Sequence, residues 1–152
     1  MPDLLAGSTV KALDTPPAVS AAESATFEAT STSYTTTATS GTYAEVAVVF
    51  TAPTSGRVKT SVAARLINSS TGGTLVTAEV RTGSTIGSGT VVDSALDAAG
   101  CSHYGATFAR AGINRMLSGL TPGASYNARL LHRVTANTGT FSMRELIVEP
   151  LS

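Results

Sequence analysis

The sequence predicts an all-β chain folded as an antiparallel β-sandwich or jelly roll, and three observations carry that expectation. Along Arg57–Leu66, Val58, Thr60, Val62, Ala64 and Leu66 fall on one face, with Arg57, Lys59, Ser61 and Arg65 on the other. That period of two belongs to a half-buried strand, and a helix would mix the faces. A second run, Glu45–Phe50, is β-branched and nearly continuous, as in a strand covered on both sides. Turn chemistry recurs along the rest of the chain, giving about seven to nine extended runs with breaks about every 8–12 residues.

Taken in order, residues 1–22 show no strand period and contain Pro2, Pro16 and Pro17, which predicts an extended N-terminal arm before a sandwich domain at 23–152. Leu4, Leu5, Val10 and Leu13 are more apolar than a solvated tail needs, so together with Pro16 and Pro17 they are the candidate assembly contacts of that arm. Residues 25–30 read as a first strand. The Ser/Thr-rich stretch 31–43, with Tyr34 and Tyr43, reads as an irregular strand or a long loop. Residues 44–66 then predict a β-hairpin whose turn is Ala52-Pro53-Thr54-Ser55-Gly56, where Pro53 presets φ and Gly56 permits a positive one. Further strands are expected at 75–81, 91–97 and 141–148, and 104–120 as either one strand or two, with a short helix still open.

Two turns carry more detail. Thr82–Gly89 holds Gly83, Gly87 and Gly89, but no helix pattern and no Lys follow, so a β-connection fits better than a phosphate-binding loop. Leu120-Thr121-Pro122-Gly123-Ala124-Ser125-Tyr126 resembles the tyrosine corner of fibronectin-type and immunoglobulin-like sandwiches, in which the phenol ties back to upstream backbone. From Tyr126 the residues Ala128, Leu130, His132 and Val134 alternate with Asn127, Arg129, Leu131 and Arg133. Absence of Trp departs from those families.

Composition narrows function. Ten acids balance ten bases, and charged residues are 13 % of the chain, against roughly 25 % in an average soluble domain. No Lys/Arg cluster gives a nucleic-acid footprint, and no apolar run is long enough for membrane insertion. Low charge suits a surface partly buried against other subunits, which predicts a homo-oligomer. The start at Met1-Pro2-Asp3 lacks the basic and apolar regions of a signal peptide, so synthesis in the cytoplasm is expected.

Candidate chemistry is sparse. Cys101 is the sole cysteine, and with His103 it supplies two ligands where zinc needs four. A Cys-His nucleophile would also need an orienting third group. His132 reads as a core histidine. Asp93 and Asp97, if on one strand, stand about 13 Å apart, beyond the ~5–9.5 Å of glycosidase carboxylate pairs. No catalytic, cofactor or metal residues are therefore assigned, and an enzyme is not expected. Tyr34, Tyr43 and Tyr104 are the candidate surface-ligand contacts, because aromatic rings supply the flat apolar platforms that sugars use.

The order of three segments is similar to that of small virion proteins of actinobacterial phages and prophages, of the minor tail or decoration type. These are Leu4–Pro17, then Val49-Phe50-Thr51-Ala52-Pro53-Thr54-Ser55-Gly56-Arg57-Val58, then Gly119–Gly123 followed by a strand with His132-Arg133-Val134. The resemblance implies a non-enzymatic structural protein of the virion, made in the host cytoplasm and attached to other virion proteins through its arm. A minor tail protein is the first expectation and a capsid decoration protein or head fibre the second. A trimer follows by analogy with phage fibres, and a carbohydrate- or receptor-binding module, contacting a host-surface glycan, is the alternative outside that class.

Overall fold

A computed structural model describes residues 16–152. They form β1 (Val19–Glu23), β2 (Phe27–Ala29), β3 (Ser40–Gly41), β4 (Ala47–Thr51), β5 (Arg57–Asn68), β6 (Gly73–Thr82) and β7 (Val91–Asp93). A 3-10 turn at Asp97–Ala99 follows, then β8 (Cys101–Tyr104), β9 (Ala109–Leu117), β10 (Ser125–Val134) and β11 (Gly139–Leu151). The all-β expectation holds. One antiparallel sheet has the order β3-β2-β11-β5-β9, with β1 also on β11; the other runs β4-β10-β6-β7, with β8 also on β6. Their inner faces enclose one core, including Phe27, Val48, Phe50, Val62, Leu66, Val80, Leu130, Phe141 and Leu146.

The expected hairpin at 44–66 is instead an arch between sheets. β4 pairs with β10, and β5 with β11 and β9. The turn between them is stitched to the tyrosine-corner loop: Ala52 N–H donates to Ala124 O at 2.9 Å, Gly123 N–H to Ala52 O at 2.9 Å, and Leu120 N–H to Gly56 O at 3.0 Å. Gly56 has φ of +64°, and a Cβ there would stand 2.5 Å from the Leu120 carbonyl oxygen. Alternation specifies which face is buried, not which strand lies alongside, so the same residues serve hairpin or arch. β4 is also not covered on both sides, since it is an edge strand and Val49 is 40 % exposed.

The boundary of the arm moves too. Val19–Glu23 is zipped along Val148–Arg144 as β1, and Pro16 is buried, so residues 16–22 include body rather than free arm. Pro17 is exposed, while the other arm contacts, Leu4, Leu5, Val10 and Leu13, lie outside the described residues. β1 escaped the sequence pattern because Val-Ser-Ala-Ala-Glu has little apolar bulk; its ladder to β11 holds it. Residues 91–97 divide into β7 and the 3-10 turn, and 104–120 holds one full strand, β9, after the end of β8. The stretch 31–43 is mostly loop, with one bridge from Thr35 to His132 and the two residues of β3.

The sheets differ in what covers their outer faces. On the β4-β10-β6 sheet, Leu75, Thr77, Glu79, Asn127 and Leu131 point outward yet are buried. Segment 94–100 lies over β6: Asp97 reaches Arg133 of β10, and a Cβ on Gly100 would meet Thr77 Cβ at 2.9 Å. Loop 83–89 is tied down by Asn127, whose Oδ1 accepts from Gly87 N at 3.0 Å while Nδ2 donates to Gly83 O at 3.1 Å and Ser88 O at 3.2 Å. The outer face of this sheet at β6 and β10 is thus largely covered by the chain itself, while Val49 of β4 stays exposed. Among the described residues no such loop lies over the outer face of the β1-β11-β5-β9 sheet.

Candidate functional site

The uncovered face takes its shape from cross-strand registers. Ala22 lies opposite Glu145, Glu145 opposite Ala63, and Ala63 opposite Gly112, so one row across four strands has mostly small side chains. At about 4.8 Å per strand the row spans about 14 Å. Ile147, Ser61 and Asn114 form the neighbouring row on one side, and Arg65 and Arg110 pair on the other. Two depressions meet at Glu145. One, of about 390 Å³, is lined by Ala22, Glu23, Ser24, Arg110, Met143, Arg144 and Glu145. The second, of about 280 Å³, is lined by Ser61, Ala63, Gly112, Asn114 and Ile147.

A β-bulge shapes the larger of the two depressions. The ladder between β11 and β5 shifts between Ser142 and Glu145, and Met143 has φ of +48°. The extra residue splays neighbouring side chains. Met143 and Glu145 go outward. Arg144 turns into the sandwich at 1 % exposure, its guanidinium 4.6 Å from the Phe27 ring centroid and 5.1 Å from that of Tyr43. Its Nη2 donates to Ala44 O at 2.8 Å, and burial lowers its pKa. On the outer side Arg110 donates from Nη2 to Glu145 Oε2 at 3.1 Å and from Nη1 to Met143 O at 2.7 Å. Beyond Arg110 the Phe108 ring lies over the Arg65 guanidinium at 3.7 Å and is 49 % exposed.

The three tyrosines singled out from the sequence do not converge. Tyr34 donates to Asp97 Oδ1 at 3.0 Å, closing a clasp in which Arg133 Nε donates to the same oxygen at 2.8 Å. Burial, with the Asp97 carboxylate second, raises its pKa. Tyr43 is turned inward against Phe27, edge to face at 5.1 Å, with its hydroxyl buried and unpartnered. It is a core residue, so its expected ligand role is corrected. Tyr104 alone is broadly exposed, at 60 %, on β8 of the other sheet. Phe108 and the bulge were missed because a lone Phe beside Gly and Ala has no period, and a bulge is a property of pairing.

The reactive-looking groups are absorbed by structure. Cys101 is buried and free, and burial pushes its thiol up to about 11. His103 Nε2 meets Thr107 O at 2.7 Å. His132 sits among Phe27, Tyr43 and Phe141, with Nε2 3.0 Å from Thr37 O, and burial pushes its pKa down to about 4. Asp93 pairs with Arg115 at 2.8 Å across the sheet edges. Burial alone would raise Glu79, but hydrogen bonds from Arg81 and Arg129 outweigh it and hold the carboxyl low. Among the described residues no group of three His, Cys, Asp or Glu stands close enough to hold a metal ion.

No protein-family model matches the sequence, and no curated protein matches it. Among solved structures, the Eiger TNF of S. frugiperda is similar at 13 % identity and a TM-score of 0.48, over 90 % of this chain and 94 % of that one. A carbohydrate-binding module from Cellvibrio mixtus lichenase 5A, solved with cellotriose, is similar at 13 % identity and a TM-score of 0.31, over 95 % and 98 %. Likeness at this level carries no function to this chain.

Proposed function

We propose that the protein is a non-enzymatic structural component of a bacteriophage particle, a minor tail protein whose leading segment attaches it to other virion proteins. The observation that carries this reading is the zipped strand β1. Five consecutive pairs with β11 hold it, and the preceding apolar residues Leu4, Leu5, Val10 and Leu13 are tethered to that strand. A short adhesive segment on a stiff mount suits attachment. The low charge of the chain, 13 %, and the resemblance of its ordered turn segments to phage virion proteins support the same reading. A capsid decoration protein or head fibre uses the same mount, and a trimer belongs to this proposal.

The test is made on particles from a lysogen or infected culture producing the full-length protein. Mass spectrometry should find it in purified virions, and a density map should put it on the tail. Its absence from purified virions overturns the reading; a capsid position replaces tail by decoration. The carbohydrate- or receptor-binding alternative is favoured by one specific observation, the uncovered groove with its polar lining and the exposed Phe108 ring beside it.

A further inference from the structure

We infer that the groove across β1, β11, β5 and β9 is a binding site for a neutral oligosaccharide, with Phe108 as its stacking platform and Arg110, Glu145 and Asn114 as its hydroxyl-reading groups. This rests on the protein being a particle-borne or surface-binding module, and it names the site through which such a module would touch a glycan.

Three features fit that ligand class. A pyranose presents an apolar C–H face and a rim of hydroxyls that both donate and accept, so its site needs a flat ring beside paired donors and acceptors. Phe108 offers such a ring at 49 % exposure, and the Arg65 guanidinium 3.7 Å beneath fixes its plane at low entropic cost. Arg110 and Glu145, with side chains 48 % and 41 % exposed, form an ion pair at 3.1 Å that supplies donor and acceptor side by side, and Asn114 adds an amide offering both. Ala63 and Gly112 leave the floor open on one side of the Arg110–Glu145 pair and Ala22 on the other, a row of about 14 Å across the strands, so a short chain of sugars would lie over both depressions with the pair between them.

Charge selects within the class. Arg110 and Arg144 of the lining are matched by Glu23 and Glu145, so the groove has no basic excess to hold an acidic sugar. A second copy is the less suitable occupant. A flat sheet pressed on this face would bury the Arg110–Glu145 and Lys59–Glu149 pairs without filling the trench between them, and desolvating ion pairs costs more than their attraction returns. Nor does the trench suit an added strand, since it runs across the strands and leaves no open backbone edge along its length.

The experiment is a titration of the full-length, isotope-labelled protein, read by amide chemical shifts, with maltohexaose, laminarihexaose and chitotetraose, and with sialyllactose as the acidic probe. At least one neutral probe is expected to shift the amides of Ala63, Gly112, Arg110 and Glu145 at concentrations up to ~10 mM. Phe108→Ala and Ala63→Gln, which fills the floor, should each weaken that binding about tenfold, equal to about 1.4 kcal/mol. Spectra of both variants outside the groove should stay unchanged, which separates lost binding from lost fold. The proposal is overturned if no neutral probe shifts these amides, if sialyllactose alone does, or if the shifts cluster at Tyr104. It also fails if Phe108→Ala changes the molecular mass in solution, which would make the face an interface between copies. The virion reading is judged separately by particle composition, so a glycan-blind protein found in virions sinks this site and leaves that reading standing.

Discussion

His132 shows how a single side chain carries a pH dependence without any catalytic role. Its folded pKa is about 4, against about 6.5 when unfolded. The unfolded chain therefore binds the extra proton more readily between those values, and stability is complete above about pH 6.5 and falls as pH drops towards 4. A loss of about 2–3 kcal/mol is expected over that window, measured as the urea midpoint at successive pH values. His132→Gln should flatten the slope. Asp97, held low by the Arg133 hydrogen bond, and Glu79 stabilise throughout the upper part of that window and lose their contribution only as pH falls below their ordinary carboxyl range, where they protonate. Arg144 makes the complementary case. It is a buried cation 1 % exposed with an unpartnered Nε. Arg144→Met, which keeps the packing and removes the charge, should be neutral or stabilising, whereas Arg144→Ala should cost about 2–4 kcal/mol through the cavity left among Phe27 and Tyr43. Equal losses in the two variants would show that the charge itself holds the site.

At the scale of elements, turns rather than strands decide the topology. Gly56 joins β4 to β5 with φ of +64° and no room for a Cβ against Leu120 O. Gly56→Ala should therefore destabilise by about 1–3 kcal/mol, a larger loss than Gly83→Ala in loop 83–89, which shares a positive φ of +88° but meets nothing within 4 Å. The denaturant midpoints of the two variants rank them; equal effects would mean that strain alone, not the contact with the corner loop, sets the arch. The tyrosine corner is legible in sequence and forms as expected: Tyr126 Oη accepts from Thr121 N–H at 2.9 Å. Tyr126→Phe leaves that amide without its partner and should cost about 1–2 kcal/mol. The β10 face pattern was legible for the same reason, since it too is local chemistry.

For the whole molecule, the pairing of β1 with β11 separates arm from body. Removal of residues 1–15 should leave the melting temperature within a few degrees of the full chain and abolish incorporation into particles. Removal of residues 1–23 deletes β1 and exposes the β11 edge, so it should lower the melting temperature sharply and promote aggregation. A 1–15 deletion that still assembles would reduce the leading segment to a frayed end. Oligomerisation is read by light scattering at tens of micromolar. A trimer mass at that concentration supports the oligomer reading, and a monomer mass overturns it.

What the residues by themselves determined was the class of structure and its local details: period-two faces along β5 and β10, turns at Pro53-Gly56 and Pro122-Gly123, and the corner at Tyr126. Each depends on neighbours within a few positions, which the order of residues records directly. Tertiary structure decided that 44–66 is an arch, that Val19–Glu23 is a strand, that Tyr43 lies inside and that one sheet is covered while the other carries a groove. Those outcomes depend on which strands lie side by side over separations of up to 129 positions, as in Val19 with Val148. Alternation specifies a face and is silent about the partner, so the groove, built of four such pairings and one bulge, exists only once the sheets have closed.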